Sequence, residues 1–208
     1  MEKLLDCIEK LKKSNVKKTI KARMKEFKEN HKKPINQIFQ ELCFCILAAN
    51  YNAEKTIKIQ NQIGNQFLTL PEKQLAKKLK TLGYRFPNTR AKYIAEARKH
   101  KNSLKNIIES QTSQNQKREW LTKNIKGIGY KEASHFLRNI GYTNLAILDF
   151  HIINILTQHK IIKKPKTLNK KTYQQIEASL KKIAKKTNLN LAELDLYLWC
   201  METGKILK

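Results

Sequence analysis

The stretch Lys126-Gly127-Ile128-Gly129-Tyr130-Lys131-Glu132-Ala133 carries the residues best suited to chemistry, and Asp149 follows eighteen positions after Lys131. Two glycines bracket one apolar residue, and the pattern behind them reads as the start of a helix. Such a turn leaves backbone N–H groups unpaired, and with the positive end of the helix dipole they suit a phosphate. Gly129 is expected to let the chain turn without a Cβ clash and to allow close approach of the phosphate; Gly127 is expected to shape the turn. Lys131 falls in the first helical turn, where positive potential favours the neutral, nucleophilic amine. A neutral amine can attack a masked carbonyl such as C1′ of a deoxyribose and form a Schiff base. Asp149 reads as the N-cap of a helix from Phe150 to Gln158. A carboxylate held there can also stabilise a developing cation or help deprotonate the amine.

Each feature has a plainer reading. Gly-x-Gly occurs in ordinary helix connections, a lone lysine is usually a solvated charge, and a carboxylate at a helix start is usually only a cap. Composition shifts the balance. In 208 residues Lys+Arg number 43 and Asp+Glu 17, a formal charge of +26. Such an excess repels itself unless an anionic partner is near, and duplex nucleic acid is the usual partner; a generic solvated lysine surface is the alternative.

The elements that must position these residues read as helices throughout. Ile35, Ile38, Leu42 and Ile46 keep a helical period after Pro34. Pro71 opens a second segment, with Leu75, Leu79 and Leu82 on one face and Gly83 at its end. Asn88 precedes a helix through Ala91, Ile94 and Arg98, and Gly141 is placed to end the helix that starts near Tyr130. Tyr173, Ile176, Leu180 and Ile183 mark a late amphipathic helix, and Leu191, Leu194, Leu198 and Met201 the last. No strand alternation or hairpin signal appears. The lysine-rich segment Lys160 to Lys171 reads as a solvated linker.

The four cysteines, at 7, 43, 45 and 200, form no C-x-x-C pair and lack the spacing of a zinc or iron–sulfur site. Cys43 and Cys45 read as small core residues in a reduced, intracellular protein. The longest apolar run, Cys43 to Ala49, is too short to span a bilayer, and no secretory signal is visible.

The glycine turn, Lys131 and Leu148-Asp149-Phe150-His151 together resemble the helix–hairpin–helix DNA glycosylase superfamily. In its lysine-bearing members the matching lysine is the nucleophile and the matching aspartate is essential. His151 matches a residue that contacts DNA phosphate. The resemblance also implies that the main-chain carbonyls of Lys123, Ile125 and Ile128 hold a monovalent cation, Na⁺ or K⁺, shared with a phosphate. One departure is Ile147-Leu148, where many relatives carry Val or Pro before the aspartate. Leu47-Ala48-Ala49-Asn50-Tyr51-Asn52 is similar to the segment that reaches the minor groove, with Asn50 the residue carried over. Leu82-Gly83-Tyr84-Arg85-Phe86-Pro87 resembles the loop that fills the gap left by a flipped nucleotide, Phe86 as wedge and Arg85 on the opposite strand. Leu194-Asp195-Leu196-Tyr197-Leu198-Trp199 and the tail ending at Lys208 are similar to archaeal-type 8-oxoguanine DNA glycosylases, the second Ogg subfamily. The iron–sulfur endonuclease III branch would need a cysteine cluster near the C-terminus, and the alkylbase branch commonly lacks the lysine.

The resemblance therefore implies an all-α fold in two lobes, 34–142 with the hairpin and 1–33 plus 143–208, with the active site in the cleft between them. It implies excision of 8-oxoguanine from double-stranded DNA, then β-elimination through a Lys131 Schiff base. Trp199 would stack on the base, and the Lys208 main chain would accept the N7–H that guanine lacks. His135, one helical turn beyond Lys131, should face the pocket. No organic cofactor and no iron–sulfur cluster are expected, and the expected state is a prokaryotic, cytoplasmic monomer with no membrane association. Two rivals remain: a glycosylase or lyase of the same fold for another oxidised base, and a non-catalytic helix–hairpin–helix DNA-binding module in which Lys131 only contacts phosphate.

Overall fold

Proline and asparagine set several of the helix starts. The computed structural model describes all 208 residues, which form thirteen α-helices, one 3-10 turn at Arg98–His100 and no strand. After α1 (Glu2–Lys12) and α2 (Val16–Asn30), Pro34 stands immediately before α3 (Ile35–Ala48). Asn52 caps α4 (Ala53–Ile63), its side chain accepting the Lys55 N–H at 3.0 Å. The short α5 (Gln66–Thr69) leads to α6 (Glu72–Thr81), which follows Pro71. Next, α7 (Pro87–Ala97) begins on Pro87 itself, one residue ahead of the expected Asn88, because proline suits the first helical position. α8 (Lys101–Glu109), α9 (Gln114–Asn124), α10 (Tyr130–Asn139) and α11 (Phe150–Gln158) follow. The chain closes with α12 (Lys170–Thr187) and α13 (Leu191–Thr203).

The expected linker from Lys160 to Lys171 is shorter than its composition suggests. Asn169 accepts the Thr172 N–H at 2.9 Å and starts α12 at Lys170, while Ile161 and Ile162 pack against the neighbouring core. A lysine-rich surface and an amphipathic helix are compatible when the apolar face is supplied by Tyr173, Ile176 and Leu180.

Two apolar cores divide the chain. The larger runs from Ile38 to Leu145 and centres on α3, whose Phe39, Leu42, Cys43, Phe44, Cys45, Ile46 and Leu47 are fully buried. α4, α5, α7, α8 and α10 surround α3, so it needs no polar stripe over this stretch. The smaller core joins Leu4 and Ile8 of α1 to Ala146, Leu148 and residues of α11, α12 and α13. α2 spans the seam, with Ile20 and Phe27 packed on Leu196 and Tyr197 of α13 while the helix also contacts α10.

Two buried ion pairs cross the same seam. Arg118 of α9 forks onto Glu177 of α12 at 2.6 and 3.1 Å, and Arg138 of α10 meets Asp195 of α13 at 2.5 Å. Removing charges from water is costly, and only such close, multiply bonded geometry offsets it. Glu177 also accepts the Ala146 N–H, and Arg118 also donates to Ser134 and Asn115. These pairs fix how α10 faces the chain after Leu145. No helix is long and apolar enough to cross a membrane.

Candidate active site

Between the two cores lies a cavity of about 950 Å³, lined from both sides. α10 supplies Lys131, Glu132, His135 and Arg138; α13 supplies Asp195 and Trp199; the segment entering α11 supplies Asp149 and His151. Asn50, Arg85 and Lys208 complete the expected residues that reach it. Phe86 does not line it. That ring is half-buried against the larger core, with the Arg85 and Arg90 guanidinium groups 4.9 and 5.8 Å from its centroid.

The turn before α10 assigns its two glycines differently from the sequence expectation. Gly127 has φ +80°, the left-handed region, and a Cβ there would lie 2.4 Å from Cδ2 of Tyr93. Gly129 has φ −94° and ψ −172°, extended backbone open to any residue, and a Cβ there would meet only the Glu132 carboxylate, at 3.2 Å. The position whose backbone requires glycine is therefore Gly127, since α7 presses Tyr93 against it. The N–H groups of Gly127, Tyr130, Lys131 and Glu132 donate to no acceptor in the protein, as expected of a helix start open to an anion. The Gly129 N–H is taken by Glu132 Oε2 at 3.2 Å.

Glu132 is a feature that sequence reasoning missed. Its other oxygen lies 3.4 Å from Lys131 Nζ, so the lysine enters the cavity as part of an ion pair with its own neighbour rather than with Asp149. Asp149 occupies its cap position, Oδ1 accepting the Ile152 N–H at 2.9 Å, and no other hydrogen bond engages the carboxylate. Lys131 and Asp149 are both partly exposed to the cavity, from opposite sides of the seam.

Behind them sits a buried polar layer. Burial pushes Asp195 up to about 7, against the Arg138 charge that favours its ionised form, and the Asp149 charge adds to the rise. His135 is held well below the usual histidine range by burial first, then by the Arg138 and Lys131 charges, while the Lys208 main chain acts the other way. Its Nε2 is buried without a partner. The spacing held the signal for this layer: Lys131, His135 and Arg138 recur at i, i+4 and i+7 on α10, and Asp195 and Trp199 at i, i+4 on α13.

Trp199 is half-buried and meets His151 edge-to-face, centroids 5.8 Å apart. His151 stacks on Phe150, which is 66% exposed at the cavity rim. Asn50 sits in the left-handed region, φ +57°, a conformation asparagine tolerates well, and this turns the chain into the cavity after α3. The carbonyls of Lys123 and Ile128 accept no backbone hydrogen bond, whereas Ile125 accepts one from the Ile128 N–H at 3.3 Å. Neutral carbonyl oxygens are the donor type a hard cation takes.

Comparison with known proteins places this geometry. A family model described as 8-oxoguanine DNA glycosylase, of the helix–hairpin–helix type, matches residues 20–189. An 8-oxoguanine DNA glycosylase/AP lyase from Methanocaldococcus jannaschii is 52% identical over 206 residues, 99% of each chain. Another from Korarchaeum cryptofilum is 46% identical over 209 residues, covering 100% of this chain and 99% of that one. The crystal structure of the Methanocaldococcus jannaschii glycosylase/lyase with a 15mer DNA containing 8-oxoguanine superposes with a TM-score of 0.96 at 51% identity, covering 99% of both chains. On these grounds the chain belongs to the 8-oxoguanine DNA glycosylase family of helix–hairpin–helix proteins.

Proposed function

We propose that this chain excises 8-oxoguanine from duplex DNA and then cleaves the backbone at the resulting abasic site. The observation that carries the reading is the single cavity lined by Lys131 and Asp149 from opposite cores, beside a turn with four free N–H groups.

The damaged nucleotide leaves the stack, because C1′ and the base edge are hidden inside a duplex; unstacking costs a few kcal/mol. Lysine-rich surface and the free N–H groups offset that cost through phosphate contacts. Arg85, Asn50 and His151 border the cavity where the strand enters, and Phe86 lies beside Arg85 as the candidate wedge. The extruded base lies against Trp199. The Lys208 main chain accepts N7–H, so guanine, which has no proton there, leaves a buried acceptor unpaired.

In the chemical step Lys131 Nζ, having lost a proton, forms a bond to C1′ while the bond from C1′ to the base nitrogen breaks. The base leaves with the bonding pair and is protonated. Asp149 faces the positive charge that develops on the sugar. Opening of the sugar ring gives an iminium ion on Lys131. Loss of the C2′ proton then expels the 3′ phosphate, which is β-elimination. The carbonyls of Lys123, Ile125 and Ile128 would hold a Na⁺ or K⁺ that supports the bound phosphate. The working form is a monomer on cytoplasmic DNA; the relatives named are archaeal.

Borohydride trapping on an 8-oxoguanine duplex tests the assignment. A covalent adduct is expected, absent in Lys131→Gln while duplex binding persists. No adduct from the parent protein, with binding retained, would leave only a DNA-binding module. An adduct formed solely on a different lesion would assign another oxidised base.

A further inference from the structure

The side chain of Lys208 points away from the cavity into a built pocket of the larger core. Its Nζ donates to Glu41 Oε1 at 2.8 Å and to Gln60 Oε1 at 2.5 Å, and lies 4.6 Å from the centroid of the Phe44 ring. An ammonium has three donors and no acceptor, and here it meets a carboxylate, an amide oxygen and a ring face. The acceptors are themselves fixed. Gln60 Nε2 donates to Glu41 Oε1 and to the Gln40 carbonyl, both at 3.1 Å, and Asn139 Nδ2 reaches Glu41 Oε2 at 3.4 Å. The lysine and glutamate side chains are only 18% and 15% exposed, and Gln60 is buried.

The tail needs such a fixture. After α13 the chain has no regular structure, and the N–H groups of Ile206, Leu207 and Lys208 make no hydrogen bond. A segment without backbone hydrogen bonds is poorly ordered unless side chains tie it down. Yet Lys208 lines the cavity together with His135, while its ammonium is held by Glu41 and Gln60 in the larger core. Glu41, Gln60 and Phe44 do not line the cavity; Lys208 links them to it, and Phe44 also meets the cavity-lining His135 edge-to-face, centroids 5.5 Å apart.

We propose that Glu41 of α3 and Gln60 of α4 form an ammonium socket that positions the main chain of Lys208 for base discrimination. They are positioning residues for the base-reading step, and the proposal rests on the reading of Lys208 given above. The socket lies on α3 and α4 of the larger core, whereas Ile206 of the tail packs on the seam residues Ile20, Phe27, Leu196 and Tyr197, so the base reader is registered against the larger core and, through Asn139, against α10.

The test separates steps that read a base from one that does not. The Glu41→Gln/Gln60→Leu double variant, the milder Glu41→Gln and a chain lacking Lys208 are assayed in single turnover. The substrates are duplexes carrying 8-oxoguanine, plain guanine or a preformed abasic site. The double variant should lose at least about tenfold in 8-oxoguanine excision and in its preference over guanine, since a buried charge left without its partner is released rather than retained. Glu41→Gln should show the same pattern at smaller size. Strand cleavage at the abasic site should stay within about twofold, because no base is read there. A double variant that keeps the preference, while the chain lacking Lys208 loses it, overturns the socket. Parallel loss on the 8-oxoguanine and abasic substrates would reduce the socket to a structural tie and also overturns it. An unchanged preference without Lys208 overturns the reading of the tail itself.

Discussion

Replacing Gly127 with alanine should damage the hairpin far more than the same change at Gly129. At Gly127 two costs add. The φ of +80° is a left-handed conformation that costs a residue with a Cβ about 1–2 kcal/mol. The new methyl would lie 2.4 and 2.9 Å from two ring carbons of Tyr93, and overpacking of this kind costs about 1–3 kcal/mol. Tyr93 belongs to α7, which is packed along α6 and α3, so the ring has little room to retreat. The sum is about 2–5 kcal/mol, or a fall in Tm on the order of 10 °C for a chain of this length. At Gly129 the only close neighbour is the far end of the flexible Glu132 side chain, and the backbone is extended. Gly129→Ala should therefore stay within about 1 kcal/mol of the parent. Urea unfolding of both variants measures the difference, and fluorescence anisotropy with an abasic-analogue duplex reports the phosphate grip. Equal stability costs at the two positions, or a Gly127→Ala cost below about 1 kcal/mol, would refute the reasoning about which glycine the turn requires.

Glu177→Gln leaves the buried Arg118 guanidinium without its counter-charge, at a cost of about 3–5 kcal/mol in urea unfolding. Pairing it with Arg118→Met should recover most of that loss, and a double variant as unstable as the single one would contradict this account. His135 titrates well below the usual range when folded, whereas the unfolded chain takes up its proton near pH 6.5. Its contribution to stability is therefore full above that pH and is lost as pH falls through the folded value. His135→Gln should flatten the decline of Tm between about pH 7 and pH 5; an equally steep decline in the variant would show that other groups cause it.

Much of the architecture is local and was readable from the chain. Pro34 and Pro71 stop one element and admit the next whatever surrounds them, and Asp149 caps α11 through a contact only three residues long. The all-α fold follows from helical periodicity, whereas the division into two lobes was implied only by the hairpin resemblance. The i, i+4 and i+7 spacing of Lys131, His135 and Arg138 is equally a property of one helix.

What the tertiary structure decided involves contacts between residues distant in sequence. Gly127 is the constrained glycine because Tyr93 arrives from α7, and no local pattern announces that approach. Lys131 and Asp149 share a cavity because two buried arginine–carboxylate pairs hold α9 and α10 against α12 and α13. Lys208 is one lysine in a lysine-rich chain until α3 and α4 bring Glu41 and Gln60 together around its ammonium. Helix periodicity is encoded within a few residues, whereas the meeting of side chains across a seam depends on how whole helices pack, which no short stretch of sequence specifies.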